Sequence, residues 1–412
     1  MKKRGGEHMD RRFEETVPVL RSLISIKSPY FEEDEIAEHI ARWLKLGGVP
    51  AKITEYHESK VTNIRGKNVV CEIDGGTPGP KIYLNGHMDT VPLCGGWSRD
   101  PFAGEIEGGK IFGLGALDMK SGCAAIMVAL KYFLTDNESF SGSIAASFVS
   151  DEEGPLGLGT DAVLNSRVAD GADVCLVTEP SSGFTDASFP CVCLGAKGGY
   201  GIAVEFFGKS AHAATPELGL SAAVEAAKAV AFLEAVKLKT DDVLGASRLC
   251  LVKFSSDGGT CSVPDYARID LYRHTVRGET RETIRRELED ALVTAGVKCG
   301  WKISFRETPT EETSSFKPYV TSRDDPYVDK FFGSVKRVSG KDASVTYFPS
   351  IGDYNYIAER LPAPCVIFGA DGKNFHSADE YADIASVIGT AAVLYDYLTE
   401  LLTGGHPPII TG

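Results

Sequence analysis

Between Phe13 and Leu46 apolar residues recur at three- and four-residue spacings: Val17, Leu20, Leu23 and Ile24, then Ile36, Ile40 and Leu44. That period predicts amphipathic helix, interrupted at Pro29, where proline supplies no N–H and disfavours helix in the residue before it. Short β-rich runs follow at Asn68 to Ile73 and Lys81 to Leu84. Met119 to Phe133, dominated by Ala, Met and Leu, reads as a helix with Gly122 as its weak point. Strands are expected at Ser143 to Val149 and Asp173 to Val177. Strands alternating with helices imply an α/β sheet covered on both faces.

The pattern changes near Ala196. Gly201 to Phe207, Leu249 to Phe254, Ala267 to His274 and Trp301 to Phe305 read as strands. Ser221 to Val236 and Thr280 to Ala295 read as helices. Two helices with four strands make an α+β unit of their own. Glu307 to Pro326, rich in Thr, Ser, Pro and charge, reads as a return linker, after which Pro364 to Phe368 and Ala385 to Leu402 resume the strand-then-helix order. The smaller unit is therefore inserted into the larger one, with expected limits of 1–195 and 313–412 for the large unit and 196–312 for the insert.

The chain has 412 residues, room for two or three domains at about 150 residues each. With 43% hydrophobic and 24% charged residues, the composition is that of an ordinary globular protein. Net charge is −14, and no block of Lys and Arg occurs beyond Met1 to Arg4, which argues against nucleic acid or anionic membrane as partners. No apolar stretch is expected to approach the length needed to span a bilayer, and the polar Met1 to Arg12 lacks the apolar core of a secretory signal. Ten scattered cysteines without a Cys-x-x-Cys pair are expected to be reduced and mostly buried, in a cytoplasmic protein.

Candidate chemistry gathers in five segments at expected strand ends, where catalytic groups of α/β sheets lie. In Leu84-Asn85-Gly86-His87-Met88-Asp89-Thr90, extended backbone puts His87 and Asp89 on one face, so one side chain can bind a metal while the other orients it. In Gly113-Leu114-Gly115-Ala116-Leu117-Asp118-Met119-Lys120, a glycine-rich loop delivers Asp118 to a helix start. Asp118 also fits an N-cap, but a dinucleotide loop is excluded by the missing third glycine. In Ser150-Asp151-Glu152-Glu153-Gly154, three successive carboxylates repel one another unless a cation or proton intervenes, and Gly154-Pro155 marks a tight turn. In extended backbone Glu152 and Glu153 would face opposite ways. Val177-Thr178-Glu179-Pro180 places a further carboxylate at a strand end, and Asn374-Phe375-His376-Ser377-Ala378-Asp379-Glu380 follows a glycine-rich turn that includes Gly369. Singly, each segment reads as structure. In order, two imidazoles and several carboxylates make a donor set for a pair of zinc-like ions, and no G-x-S-x-G elbow suggests a serine hydrolase.

From Phe13 to Leu402 the chain resembles the M20 metallopeptidase and deacylase family, the group of acetylornithine deacetylase, succinyl-diaminopimelate desuccinylase, aminoacylase-1 and glutamate carboxypeptidase. GHMDTVP, GLGALDMKSG, SDEEG, TEP, GKSAHAATPELG and FHSADE carry the resemblance in order. It implies a zinc-peptidase-like catalytic domain whose mixed sheet is covered by helices. It also implies an inserted α+β, ferredoxin-like lid and dimerisation domain. Asp118 would bridge two zinc ions, with His87 and Glu179 completing one site and Glu153 and His376 the other; cobalt and manganese accept the same donors. Asp89 would hold the His87 ring, and Glu152 would be the general base for a metal-bridged water. His212, in Lys209-Ser210-Ala211-His212-Ala213, would stabilise the oxyanion, in dimeric relatives across the subunit interface.

Substrate recognition departs from the family pattern. Aligned on Gly278-Glu279-Thr280, the usual Asp-x-Arg triplet is Tyr272-Arg273-His274, so His274 stands where an arginine is expected and Arg273 points to the other face of the strand. Ser262 replaces an Asn before Val263-Pro264, and Ser350-Ile351-Gly352-Asp353 matches a Gly-Gly-Thr-Asp loop loosely. His212, His274, Arg273 and Gly369 are the expected substrate contacts. The sequence thus points to a homodimeric hydrolase that cleaves the amide bond of an N-acyl amino acid or short peptide. The rivals are a dipeptidase or carboxypeptidase of the same family and a catalytically silent binding or scaffold relative.

Overall fold

A computed structural model describes residues 11–154, 156–185, 187–307 and 316–405. The chain divides into two compact units, Met1–Gly195 with Val320–Phe348 and Gly352–Gly412, and Ala196–Tyr319 with Pro349–Ile351. The expected limit at 312/313 and part of the expected return linker lie outside the described residues, as does Pro155.

The first unit is built on a nine-stranded mixed sheet. Its centre is the parallel set Phe140–Val149, Gly76–His87, Val174–Val177 and Cys365–Ile367. Arg65–Asp74 and Lys52–His57 add antiparallel on one side. Cys191–Ala196 adds antiparallel on the other and pairs with the flanking strands Ser344–Phe348 and Tyr319–Val320. Burial on both faces explains the nearly continuous apolar runs of the central strands. Ile82, Leu84, Ala146, Phe148, Val174 and Leu176 pack with helices Thr16–Ile24, Lys120–Asp136, Pro326–Ser339 and Ile384–Thr403 in one core. The short helices Leu158–Asn165 and Asp353–Arg360 also pack against strands of the sheet.

The helix Ile384–Thr403 corrects one expectation. It is long and apolar enough to cross a bilayer, with mean hydropathy 1.2. Of its most apolar 18 residues, 78% are buried inside the protein, so it behaves as a core helix, packed against Lys120–Asp136. Other elements escaped the sequence pattern for local reasons. Lys52–His57 is a half-exposed edge strand whose one aliphatic residue, Ile53, is itself exposed, and Leu158–Asn165 is barely two turns long. Pro326–Ser339 begins in the expected linker, although its start was signalled: Asp325 caps the N–H groups of Tyr327 (2.8 Å) and Val328 (3.3 Å), with Pro326 in the first turn.

The second unit runs strand Gly198–Phe207, helix Ala222–Leu233, strands Arg248–Ser256 and Tyr266–Thr275, helix Arg281–Thr294, strand Gly300–Phe305. This β-α-β-β-α-β order folds as an antiparallel sheet with Tyr266–Thr275 and Gly198–Phe207 in the middle, the ferredoxin-like arrangement. Both helices start where capping chemistry dictates. Ser221 Oγ accepts from Val224 N at 3.3 Å, and Thr280 and Thr283 form a reciprocal capping box. Ile202, Val204, Phe206, Ile269, Leu271 and Ile303 pack with Ala226, Leu233, Ile284 and Leu288 as this unit's core.

Phe133 lies fully buried where Lys120–Asp136 meets the sheet, its ring edge-on to Phe140 at 5.0 Å. Phe133→Ala should cost about 3–5 kcal/mol through lost burial and a residual cavity. Denaturant unfolding measures this, and a loss below about 1 kcal/mol would contradict such tight packing.

Candidate active site

Three of the four parallel strands deliver a functional group at or just past their C-terminal ends. His87 ends Gly76–His87, the acidic segment follows Phe140–Val149, and Glu179 stands two residues beyond Val174–Val177. Asp118 comes from the loop before helix Lys120–Asp136 and is joined to Met119, the cap of that helix, by a cis peptide bond. The helix cap is Met119, so Asp118 is not an N-cap. His376 comes from the segment that precedes strand Tyr381–Asp383.

These side chains form two donor groups, His87, Asp118 and Glu179, and Asp118, Glu153 and His376, with the donor atoms of each within 4.8 Å of one another. Asp118 belongs to both. Its Oδ1 is 3.2 Å from His87 Nε2 and its Oδ2 3.5 Å from His376 Nε2. Glu179 Oε1 lies 3.6 Å from His87 Nε2, and Glu153 Oε2 lies 2.9 Å from His376 Nε2. Glu152 Oε2 stands 3.9 Å from His87 Nε2. His87, Asp118 and Glu179 are buried, whereas the His376 side chain is 46% exposed.

Asp89 holds this arrangement from behind. Its carboxylate is 3.4 Å from His87 Nδ1 and accepts the N–H groups of Glu152 (3.3 Å) and Glu153 (2.9 Å). The acidic segment is not extended, as the sequence reading assumed. It is a turn, with Asp151 at φ 58°. That turn, rather than strand alternation, sends Glu152 toward His87 and Glu153 toward His376.

The electrostatics ask for cations. Burial, then the charges around them, push the pKa values of Glu179 and Glu152 well up and that of Glu153 to about 7. Hydrogen bonds to Asp118 and Glu153 raise His376 to about 10. Burial opposes charge on His87, yet Glu179, Asp118 and Asp89 raise its pKa well above the usual value. Burial likewise opposes charge on Asp118, but the two imidazoles hold its pKa low. Among the described residues, no lysine or arginine pairs with any of these carboxylates. Nitrogen and oxygen donors gathered around unneutralised negative charge fit divalent ions of the zinc type.

The expected substrate contacts fare differently. Arg273 is corrected: it continues the inward row of Ala267, Ile269 and Leu271, is fully buried, and bonds Glu279 (2.5 Å) and Glu287 (3.1 Å). A guanidinium so engaged is a structural ion pair, with no face for a substrate. Gly369 is buried beside Glu179. Its N–H donates to Ser181 Oγ at 3.1 Å, and a Cβ there would collide with the carbonyls of Thr178 and Glu179, so glycine serves the close approach that seats Glu179. His274 lies half-buried beside Tyr272, with ring centroids 4.9 Å apart. Burial and the charges of Lys197 and Arg248 lower its pKa, favouring neutral imidazole. His212 is exposed, its Nδ1 accepting from Ala214 N at 3.0 Å. His212, His274 and Arg273 all belong to the second unit. The cysteines are free, with Cys94, Cys250 and Cys261 exposed and the other seven buried.

Sequence reasoning missed Glu33. It is buried, and its Oε1 accepts the N–H groups of Phe31 (2.8 Å) and Asp151 (3.1 Å). Nothing in its surroundings in the sequence sets it apart from other helix-start glutamates. Burial, then the charge of Asp89, raises its pKa from 4.5 to about 7. A raised carboxyl binds its proton more tightly folded than unfolded. Its contribution to stability is therefore complete below about pH 4.5 and lost as pH rises through about 7. The metal-free protein should melt lower at pH 8 than at pH 5. Glu33→Gln, neutral throughout, should lose less over that interval, and equal losses in thermal melts would contradict this account of Glu33.

The profile of Peptidase family M20/M25/M40 matches residues 83–400. A succinyl-diaminopimelate desuccinylase of Methylocella silvestris is 28% identical over 332 residues, 78% of this chain and 82% of the relative. One from Beijerinckia indica is 26% identical over 403 residues, 96% of this chain and 100% of the relative. Among solved structures, a tripeptidase from Staphylococcus aureus shares the fold, with TM-score 0.77 at 22% identity, covering 95% of this chain and 99% of that one. The chain thus belongs to peptidase family M20/M25/M40 and is a metal-dependent hydrolase.

Proposed function

We propose that this hydrolase uses two zinc-type ions to cleave the amide bond of an N-acyl amino acid or short peptide. The observation that carries the reading is the pair of donor groups sharing Asp118, with Glu152 beside them and outside both. His87, Asp118 and Glu179 would hold one ion and Asp118, Glu153 and His376 the other. When bound, a pair of divalent ions polarises a carbonyl and acidifies water.

The chain's own groups then divide the work. The Glu152 carboxylate takes a proton from water as the oxygen adds to the amide carbon, and returns it to the nitrogen as the C–N bond breaks, giving a carboxylate and an amine. Asp89 keeps His87 oriented and fixes the backbone on which Glu152 and Glu153 stand. The relatives named desuccinylases support an acylated amine as substrate. His212 is assigned to oxyanion stabilisation from a partner subunit in a homodimer, a role supported by its exposure within the GKSAHAATPELG segment.

Glu152→Gln should abolish turnover of N-acyl amino acids and dipeptides while bound metal persists, as elemental analysis of the purified variant would register. Substantial residual activity would remove the general-base role. His212→Ala should lower kcat with metal content unchanged. Mixed dimers of His212→Ala and Glu152→Gln chains should regain activity, since one of the two sites is then intact. Absence of recovery in verified mixed dimers would contradict a shared site. A panel with free dipeptides beside N-acyl amino acids separates a dipeptidase from a deacylase.

A further inference from the structure

Glu380 is almost completely buried and belongs to neither donor group. Its carboxylate is nevertheless tied to the loop that carries Asp118. Oε1 accepts the N–H groups of Leu117 at 2.8 Å and Asp118 at 3.0 Å, while Oε2 accepts that of Gly115 at 2.9 Å. The Glu380 carbonyl also accepts Gly113 N at 3.0 Å. Three N–H groups converging on one point make an anion-holding concavity. Here an internal side chain from the far end of the chain fills it.

The same segment delivers His376, and Asp379, the neighbour of Glu380, accepts from Ser98 N (3.0 Å) and Ser98 Oγ (2.8 Å). One stretch therefore supplies a donor to one ion group and fixes the backbone of the carboxylate shared by both. We infer that Glu380 is a positioning residue for the two ion sites together, setting the direction of Asp118 through the Gly115–Asp118 turn. This rests on the two-ion reading above.

The atoms dictate what substitution does. In Glu380→Gln, an amide oxygen at the Oε1 place keeps the bonds to Leu117 and Asp118, but the NH2 meets the Gly115 N–H donor against donor. Glu380→Ala loses all three bonds and leaves a small cavity lined by N–H groups, of a size and charge preference suited to formate.

The test is calorimetric titration of zinc into metal-free wild type, Glu380→Gln and Glu380→Ala, with thermal melts of each in chelator. Glu380→Gln should weaken both ions roughly 10–100-fold while its metal-free melting temperature stays near wild type. Formate should recover affinity in Glu380→Ala and leave Glu380→Gln unchanged. His376→Ala, by contrast, should weaken chiefly one ion. Unchanged affinities in Glu380→Gln, weakening of only one ion, or failure of formate to act would overturn the inference. A metal-free Glu380→Gln chain that is itself unfolded would overturn it as well, because the carboxylate would then support the fold rather than Asp118. A wild-type chain that takes up no zinc overturns the two-ion reading itself. Two ions in wild type with Glu380→Gln undiminished removes only the positioning role.

Discussion

Asp118 presents one oxygen to His87 and the other to His376, and much of the first unit serves that double contact. A buried carboxylate between two imidazoles is tolerable, but Glu179, Glu153 and Glu152 crowd the same space. Their mutual repulsion and loss of water oppose charge in a protein without counter-ions. Divalent ions held by these donors would turn that repulsion into coordination, so the proposed chemistry and the electrostatic cost of the site have one cause.

The scaffold meets this cost by fixing backbone as well as side chains. The acidic turn is gripped at its N–H groups by groups from elsewhere: Ser150 by Asn68, Asp151 by Glu33, Glu152 and Glu153 by Asp89. One amide oxygen and two carboxylates thus bind the peptide dipoles of a segment whose own side chains are mostly negative. The parallel strands set the spacing, because His87, the acidic turn and Glu179 all emerge from the same end of neighbouring strands. Glu153 and His376, in contact in space, are 223 positions apart in the chain.

Much of this was legible in the residues. The side chains that the fold gathers around Asp118 could be read because HxD, the acidic triplet and the carboxylate after an apolar strand are local patterns with a chemical meaning. The central strands and the longer helices could be read because their apolar periods are long. Lys52–His57 and Leu158–Asn165 could not, since a polar edge strand and a very short helix leave little period to detect. Glu33 escaped because its partner, Asp151, is 118 positions away and only folding joins them. Arg273 was misread because strand alternation correctly sets it on the opposite face from His274. Alternation is silent, however, about Glu279 and Glu287, which wait there to neutralise it.

The central claim is that Asp118 is held in common by two ions. It is tested most directly by counting metal bound per chain after equilibration with zinc and removal of the excess, in wild type and in Asp118→Ala. The account predicts about two ions per wild-type chain and severe loss of both in the variant. A wild-type count of one, or an Asp118→Ala chain that retains either ion at full occupancy, would contradict it.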